Sequence, residues 1–144
     1  MYTGTPIGPD NFILNRSNMS QTIIHCDGGS LNNQEAKKRK GYASFKVNSK
    51  IVRIYDLGKV TNNYAEYISL IESVKYCLDN GMENDDIIIN MDSALVVNQV
   101  NGKWKIRSTS LRALHTVATK YLKQLKRWEL KWIHNLIMKQ VLGH

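Results

Sequence analysis

The chain is poor in the residues that cross-link or stiffen a backbone. It has two cysteines, Cys26 and Cys77, in 144 residues. Without a framework spacing they exclude a disulfide scaffold and read as small core residues in a reducing compartment, which points to the cytoplasm. Both prolines, Pro6 and Pro9, fall in the first twenty residues. No apolar run reaches the length of a membrane span. The start, Met1-Tyr2-Thr3-Gly4, lacks a basic stretch followed by an apolar one, so neither membrane insertion nor secretion is expected. There is no internal repeat and no low-complexity tract. Acidic residues are outnumbered, 12 Asp and Glu against 20 Lys and Arg, for a formal net charge of +8.

That charge has an ordinary reading, surplus lysine for solubility. Its clustering favours a polyanionic partner. Lys37-Lys38-Arg39-Lys40 is one block, Lys103, Lys105 and Arg107 a second, and Lys120, Lys123, Lys126, Arg127 and Lys131 a third. With 42% hydrophobic and 22% charged residues, the length suits one domain with a real core. Residues 1–20 read as a loosely attached extension and residues 21–144 as the folded domain.

From Thr22 the pattern becomes strand-like, ending at the turn formers Asp27-Gly28-Gly29-Ser30. Polar residues 31–40 connect to an alternating run over 42–47. Asn48-Ser49 signals a turn into another strand over 51–56. Three adjacent strands with short connections predict an antiparallel meander. A helix begins at Thr61-Asn62, with Tyr64, Ile68, Ile71, Val74 and Leu78 on one buried face and Asn80-Gly81 at its end. Ile87-Ile88-Ile89 suits a central strand covered on both faces. A short helix from Ser93 to about Val100, a longer one capped by Ser108 or Ser110, and a strand with Trp128, Leu130 and Trp132 complete a βββ-α-β-α-α-β order. That order indicates an α/β layer structure with a mixed sheet.

Three carboxylates stand where such a layout could bring them together: Asp27 and Asp92 after apolar strand runs, Glu66 in the first turns of a helix. Singly, each has a plain explanation: a turn aspartate, a solvated helix glutamate, a helix N-cap that Ser93 could equally provide. Together they would repel unless a cation lay between them. Hard oxygen ligands select Mg²⁺ or Mn²⁺, and on a basic chain that suggests phosphodiester chemistry. Gly28-Gly29 would allow another backbone or a ligand to approach closely. Asn62 and Asn63, poor helix formers, are better explained as caps or as groups facing a groove. His25 is expected to point away from Asp27, and His115 and His134 to be structural or exposed.

The segments Asp27-Gly28-Gly29-Ser30, Thr61-Asn62-Asn63-Tyr64-Ala65-Glu66-Tyr67 and Asp92-Ser93, followed by Asn98-Gln99-Val100-Asn101-Gly102-Lys103-Trp104-Lys105, resemble type 1 ribonuclease H. The likeness is to its compact microbial and plant reverse-transcriptase-like branch and covers about Thr22 to Trp132. The resemblance implies a ribonuclease H-like fold: a five-stranded mixed sheet, an antiparallel meander plus parallel strands, flanked by helices. It also implies a monomer that hydrolyses the RNA strand of RNA–DNA hybrids with two Mg²⁺ or Mn²⁺ ions. Asp27 would bridge the ions, Glu66 and Asp92 would complete the carboxylate set, and Gly28 would join the metal shell through its backbone. Asn62 and Asn63, with the backbone of Gly28, Gly29 and Ser30, would meet the hybrid in its minor groove, and Ser93 would also touch the nucleic acid. Asn98, Gln99, Trp104 and Lys105 would meet the DNA strand, unless Trp104 is simply a partly buried core aromatic.

The family's fourth carboxylate, in a C-terminal helix, has no match. After Glu129 the chain has no Asp or Glu. His144 is expected to stand in as a metal ligand or proton carrier. Asn135 in that place, or a weak second metal site, are the other accounts. The last leaves an alternative function, a slow or inactive hybrid-binding protein. A structure-specific DNA endonuclease of the same fold is a third possibility, against which Thr61-Asn62-Asn63 argues.

Overall fold

The computed structural model describes residues 20–143. The extension assigned to residues 1–20 lies outside this range but for Ser20, as does His144. The elements are β1 (Gln21–Leu31), β2 (Lys40–Val47), β3 (Lys50–Ile54), α1 (Asn62–Asp79), β4 (Asp86–Met91), α2 (Ala94–Val100), α3 (Thr109–Leu122), β5 (Arg127–Trp132) and α4 (Asn135–Leu142). They form one five-stranded mixed sheet in the order β3-β2-β1-β4-β5. The meander β1–β2–β3 is antiparallel, and β4 and β5 run parallel to β1.

The core lies between one sheet face and the helices. Ile24, Cys26, Ile87, Ile89 and Met91 point up from the central strands into Tyr67, Leu70, Val74 and Cys77 of α1. Each such aliphatic or aromatic side chain contributes about 1.5–3 kcal/mol on burial. The buried face of α1 is wider than its spacing suggested. Tyr64, Ile68 and Leu78 are only partly buried, while Ala65, Ser69 and Ser73 are fully so. The reason is that α1 is covered twice, by β1 and β2 on one side and by α3 on the other. Cys26 and Cys77 are buried and free, as the absence of a framework implied.

Two strand expectations need correction. β1 does not end at Asp27-Gly28-Gly29-Ser30 but continues to Leu31, because Asp27 through Leu31 pair with Ser44 through Lys40 of β2. Ile88 is only half-buried, so β4 is not equally covered on both faces. The tail adds a helix. His134 caps α4 by accepting the N–H of Leu136 at Nδ1 (3.1 Å), and Gly143 ends it at φ 74°, where glycine carries no Cβ penalty. Met138 and Leu142 are buried, and α4 packs on β1 and β2. Arg53 of β3 donates to the Leu142 carbonyl (2.9 Å), satisfying a C-terminal acceptor.

Candidate active site

Register brings the three carboxylates together. β4 stops at Met91, opposite Cys26. Asp92 therefore leaves β4 beside Asp27, and β1 runs on from there without a parallel neighbour. α1 crosses that open side. A Cβ at Gly28 would run into the backbone of Ala65 and Glu66, so the close approach that Gly28-Gly29 suggested is made by the helix itself. The unpaired edge of β1 is closed by side chains of α1: Gly28 N–H donates to Glu66 Oε1 (2.6 Å) and Ser30 N–H to Asn62 Oδ1 (2.6 Å). Asn62 N–H in turn donates to Asn33 Oδ1 (2.9 Å).

One ligand atom from each of Asp27, Glu66 and Asp92 lies within 4.8 Å of the other two. Glu66 is buried, and the two aspartates are half-buried. Burial, then the charge of Asp92, pushes Asp27 up to about 7. Burial, then Asp27 and Asp92, hold Glu66 well above the usual carboxylate range. Three acids so placed resist joint ionisation, and a divalent cation relieves both the desolvation and the repulsion. The all-carboxylate donor set fits a hard ion such as Mg²⁺ or Mn²⁺.

Asp92 is not the N-cap of α2. That place belongs to Ser93, whose Oγ accepts the Val96 N–H (3.2 Å). Ser93 is therefore largely buried, with its hydroxyl oxygen engaged as the helix cap. Gln99 too is bonded within the fold. It is 5% exposed, accepts from the buried Tyr67 hydroxyl (2.7 Å) and donates to the Lys105 carbonyl (3.3 Å). The Asn98 carbonyl accepts from Lys103 and Trp104 N–H groups. These bonds hold up a loop on which Trp104, 50% exposed, and Lys105 face solvent. Trp104 is thus no core residue. His25 shares a sheet face with Asp27, since residues two apart on a strand point the same way, contrary to expectation. Asn135 begins α4 and is exposed.

Two groups carried no sequence signal. Trp132, paired with Met91 across β4 and β5, donates its indole N–H to the Asp92 carbonyl (3.1 Å) and packs edge-on against His134. Tyr42, opposite Gly29, has its phenol held above the usual range by burial and by the charges of Asp27, Glu66 and Asp92. A pocket of about 380 Å³ lies where α1 and α3 begin, lined by Asn33, Thr61, Asn62, Asn63, Ser108 and Ser110 and by the apolar Leu111. Thr61 and Ser108 are the two N-caps.

A sequence profile described as reverse transcriptase-like matches residues 23–138. The bifunctional protein Rv2228c of Mycobacterium tuberculosis is 34% identical over 77 residues, which are 54% of this chain and 21% of that protein. Its N-terminal RNase H domain superposes with a TM-score of 0.72 at 27% identity, over 83% of this chain and 91% of that one. Ribonuclease HI of Halobacterium salinarum is 35% identical over 74 residues, 51% of this chain and 36% of that protein. RNase H1 from the same archaeon superposes with a TM-score of 0.72 at 26% identity, over 83% and 90% of the two chains. LC11-RNase H1, solved in complex with an RNA/DNA hybrid, shares the fold at a TM-score of 0.73 and 20% identity, over 83% and 89%. The matched stretches span about a fifth to a third of the full-length curated relatives.

Proposed function

We propose that this chain, which belongs to the reverse transcriptase-like family and has the compact type 1 ribonuclease H fold, is a metal-dependent endonuclease that cuts the RNA strand of RNA–DNA hybrids. The observation that carries this reading is the convergence of Asp27, Glu66 and Asp92 within 4.8 Å. The designation of the Halobacterium relative as a ribonuclease HI supports it.

Asp27, Glu66 and Asp92 would hold two Mg²⁺ or Mn²⁺ ions. Bound there, such ions supply positive charge for the phosphoryl oxygens and make a water more acidic. The rest falls to the chain's own groups. The Gly28 N–H fixes the Glu66 carboxylate, and the Trp132 indole fixes the backbone of Asp92. Asn62 holds the Ser30 backbone in line, so that Gly29 to Ser30 and exposed Asn63 form an edge suited to 2′-hydroxyls. The pocket at the two helix N-termini offers backbone N–H groups and hydroxyls to a phosphate of the second strand. Trp104 and Lys105 would add an apolar surface and a charge beyond it.

A second reading, a hybrid-binding protein of little turnover, is favoured by α4, which packs on the sheet beside the site and carries no Asp or Glu. Cleavage of a labelled hybrid in Mg²⁺ and in Mn²⁺, beside Asp92→Asn and His144→Ala, separates the two. Turnover lost in Asp92→Asn supports the nuclease. Binding without turnover in either metal supports the second reading.

A further inference from the structure

On the sheet face that carries Asp27 there is a groove of about 390 Å³ outside the carboxylate cluster, lined by Leu31, Lys40, Tyr42, Ser44, Arg53 and Tyr55 among others. Its position follows from register. Ser44 is the cross-strand partner of Asp27 and of Arg53, Tyr42 the partner of Gly29, and Lys40 of Leu31. The groove therefore starts one strand away from Asp27 and runs toward the end of β1.

Its lining combines aromatic faces with positive charge. Tyr55 is 75% exposed and Leu31 58% exposed, a large apolar surface to leave in water at a sheet edge, and Tyr42 stands half-buried between them and the cluster. Aromatic faces of this kind stack on any base. Lys40 and Arg53 supply positive charge, and the hydrogen bond from Arg53 to the Leu142 carbonyl holds its guanidinium in place beside the groove. The size is at the small end for a ligand pocket, room for a single nucleotide and far too small for a duplex.

We propose that this groove binds one unpaired nucleotide of the RNA strand where that strand leaves the hybrid next to the cleavage site. This deepens the reading of the chain as a hybrid nuclease and rests on it: the substrate bound best would be a hybrid whose RNA strand continues as a single-stranded tail. Tyr55 and Tyr42 stack on the base, and Lys40 and Arg53 take the phosphate.

The test is binding without turnover. Fluorescence anisotropy in EDTA compares a blunt RNA–DNA hybrid, the same hybrid with an RNA tail at either end of the RNA strand, the same hybrid with a DNA tail on the DNA strand, and the isolated RNA tail. The proteins are the full chain, Tyr55→Ala and Tyr55→Phe. One RNA-tailed hybrid should bind roughly tenfold more tightly than the blunt one, and Tyr55→Ala should remove that gain while leaving blunt binding unchanged. Tyr55→Phe keeps the ring and should keep the gain. Equal affinity for blunt and RNA-tailed hybrids, a gain from the DNA tail instead, or an equal loss on both hybrids in Tyr55→Ala would overturn the proposal. Tyr55-dependent binding of the isolated RNA with no binding of any hybrid would refute the hybrid reading and, with it, the placement of the groove beside a hybrid.

Discussion

Asp27→Asn is expected to make the metal-free protein more stable at about pH 8, although it removes a group central to the site. Burial and Asp92 push Asp27 up to about 7 from an ordinary 3.8. A carboxyl whose folded-state pKa is raised keeps its proton in the fold while the unfolded chain loses it. Its stability contribution is thus greatest below about pH 4, declines as pH rises through 7, and is flat beyond. The full displacement corresponds to about 4 kcal/mol, and water reaching the half-buried group lowers the expected effect to about 1–2 kcal/mol. Asparagine resembles the protonated acid in shape and carries no charge at any pH, so the variant escapes the decline. Urea unfolding in EDTA at several values between about pH 5 and pH 8 should show the variant gaining on the parent as pH rises. Divalent metal should then restore the parent at pH 8 and leave the variant nearly unchanged. A variant less stable than the parent at pH 8, or a gap that does not change with pH, would refute the electrostatic account of the cluster.

Other consequences can be checked alongside. Gly28→Ala should cost several times the roughly 1 kcal/mol of an average point substitution, because the new methyl meets the α1 backbone; chemical denaturation would show it, and an unchanged midpoint would contradict the close approach. Trp132→Phe removes the N–H that holds the Asp92 carbonyl. It should lower stability by about 1 kcal/mol and slow hybrid cleavage with little change in hybrid affinity, measured by separate binding and turnover assays. Gln99→Ala leaves the buried Tyr67 hydroxyl without its acceptor and should destabilise by about 1–3 kcal/mol. Asp92→Asn should abolish cleavage while leaving the circular dichroism spectrum unchanged.

The periodic elements were legible because their signals are local. Alternation in 42–47, helical spacing after Thr61 and the caps Ser93 and Ser108 sit where the pattern placed them. The three carboxylates could be named because they follow those elements in order. What failed depends on residues distant in sequence. Asp27-Gly28-Gly29-Ser30 has the composition of a turn, yet pairing with β2 keeps it extended and α1 needs its missing side chain. Gln99 looks like an outward polar residue until the Tyr67 hydroxyl and the Lys105 carbonyl claim it. Trp132 reaches Asp92 only through the parallel register of β4 and β5. The Tyr42–Tyr55 groove spans three strands and has no contiguous signature at all.

The side chains of α1 that close the bare edge of β1 have an evolutionary corollary. Glu66 is at once a candidate metal ligand and the acceptor that stands in for a missing strand at Gly28. A descendant that abandoned catalysis could shed Asp92 with little loss of fold, but an oxygen at position 66 would still be favoured, to satisfy the partly buried Gly28 amide. Persistence of Glu or Gln at that position is therefore a poor marker of activity among divergent homologues, whereas the acid at position 92 is an informative one.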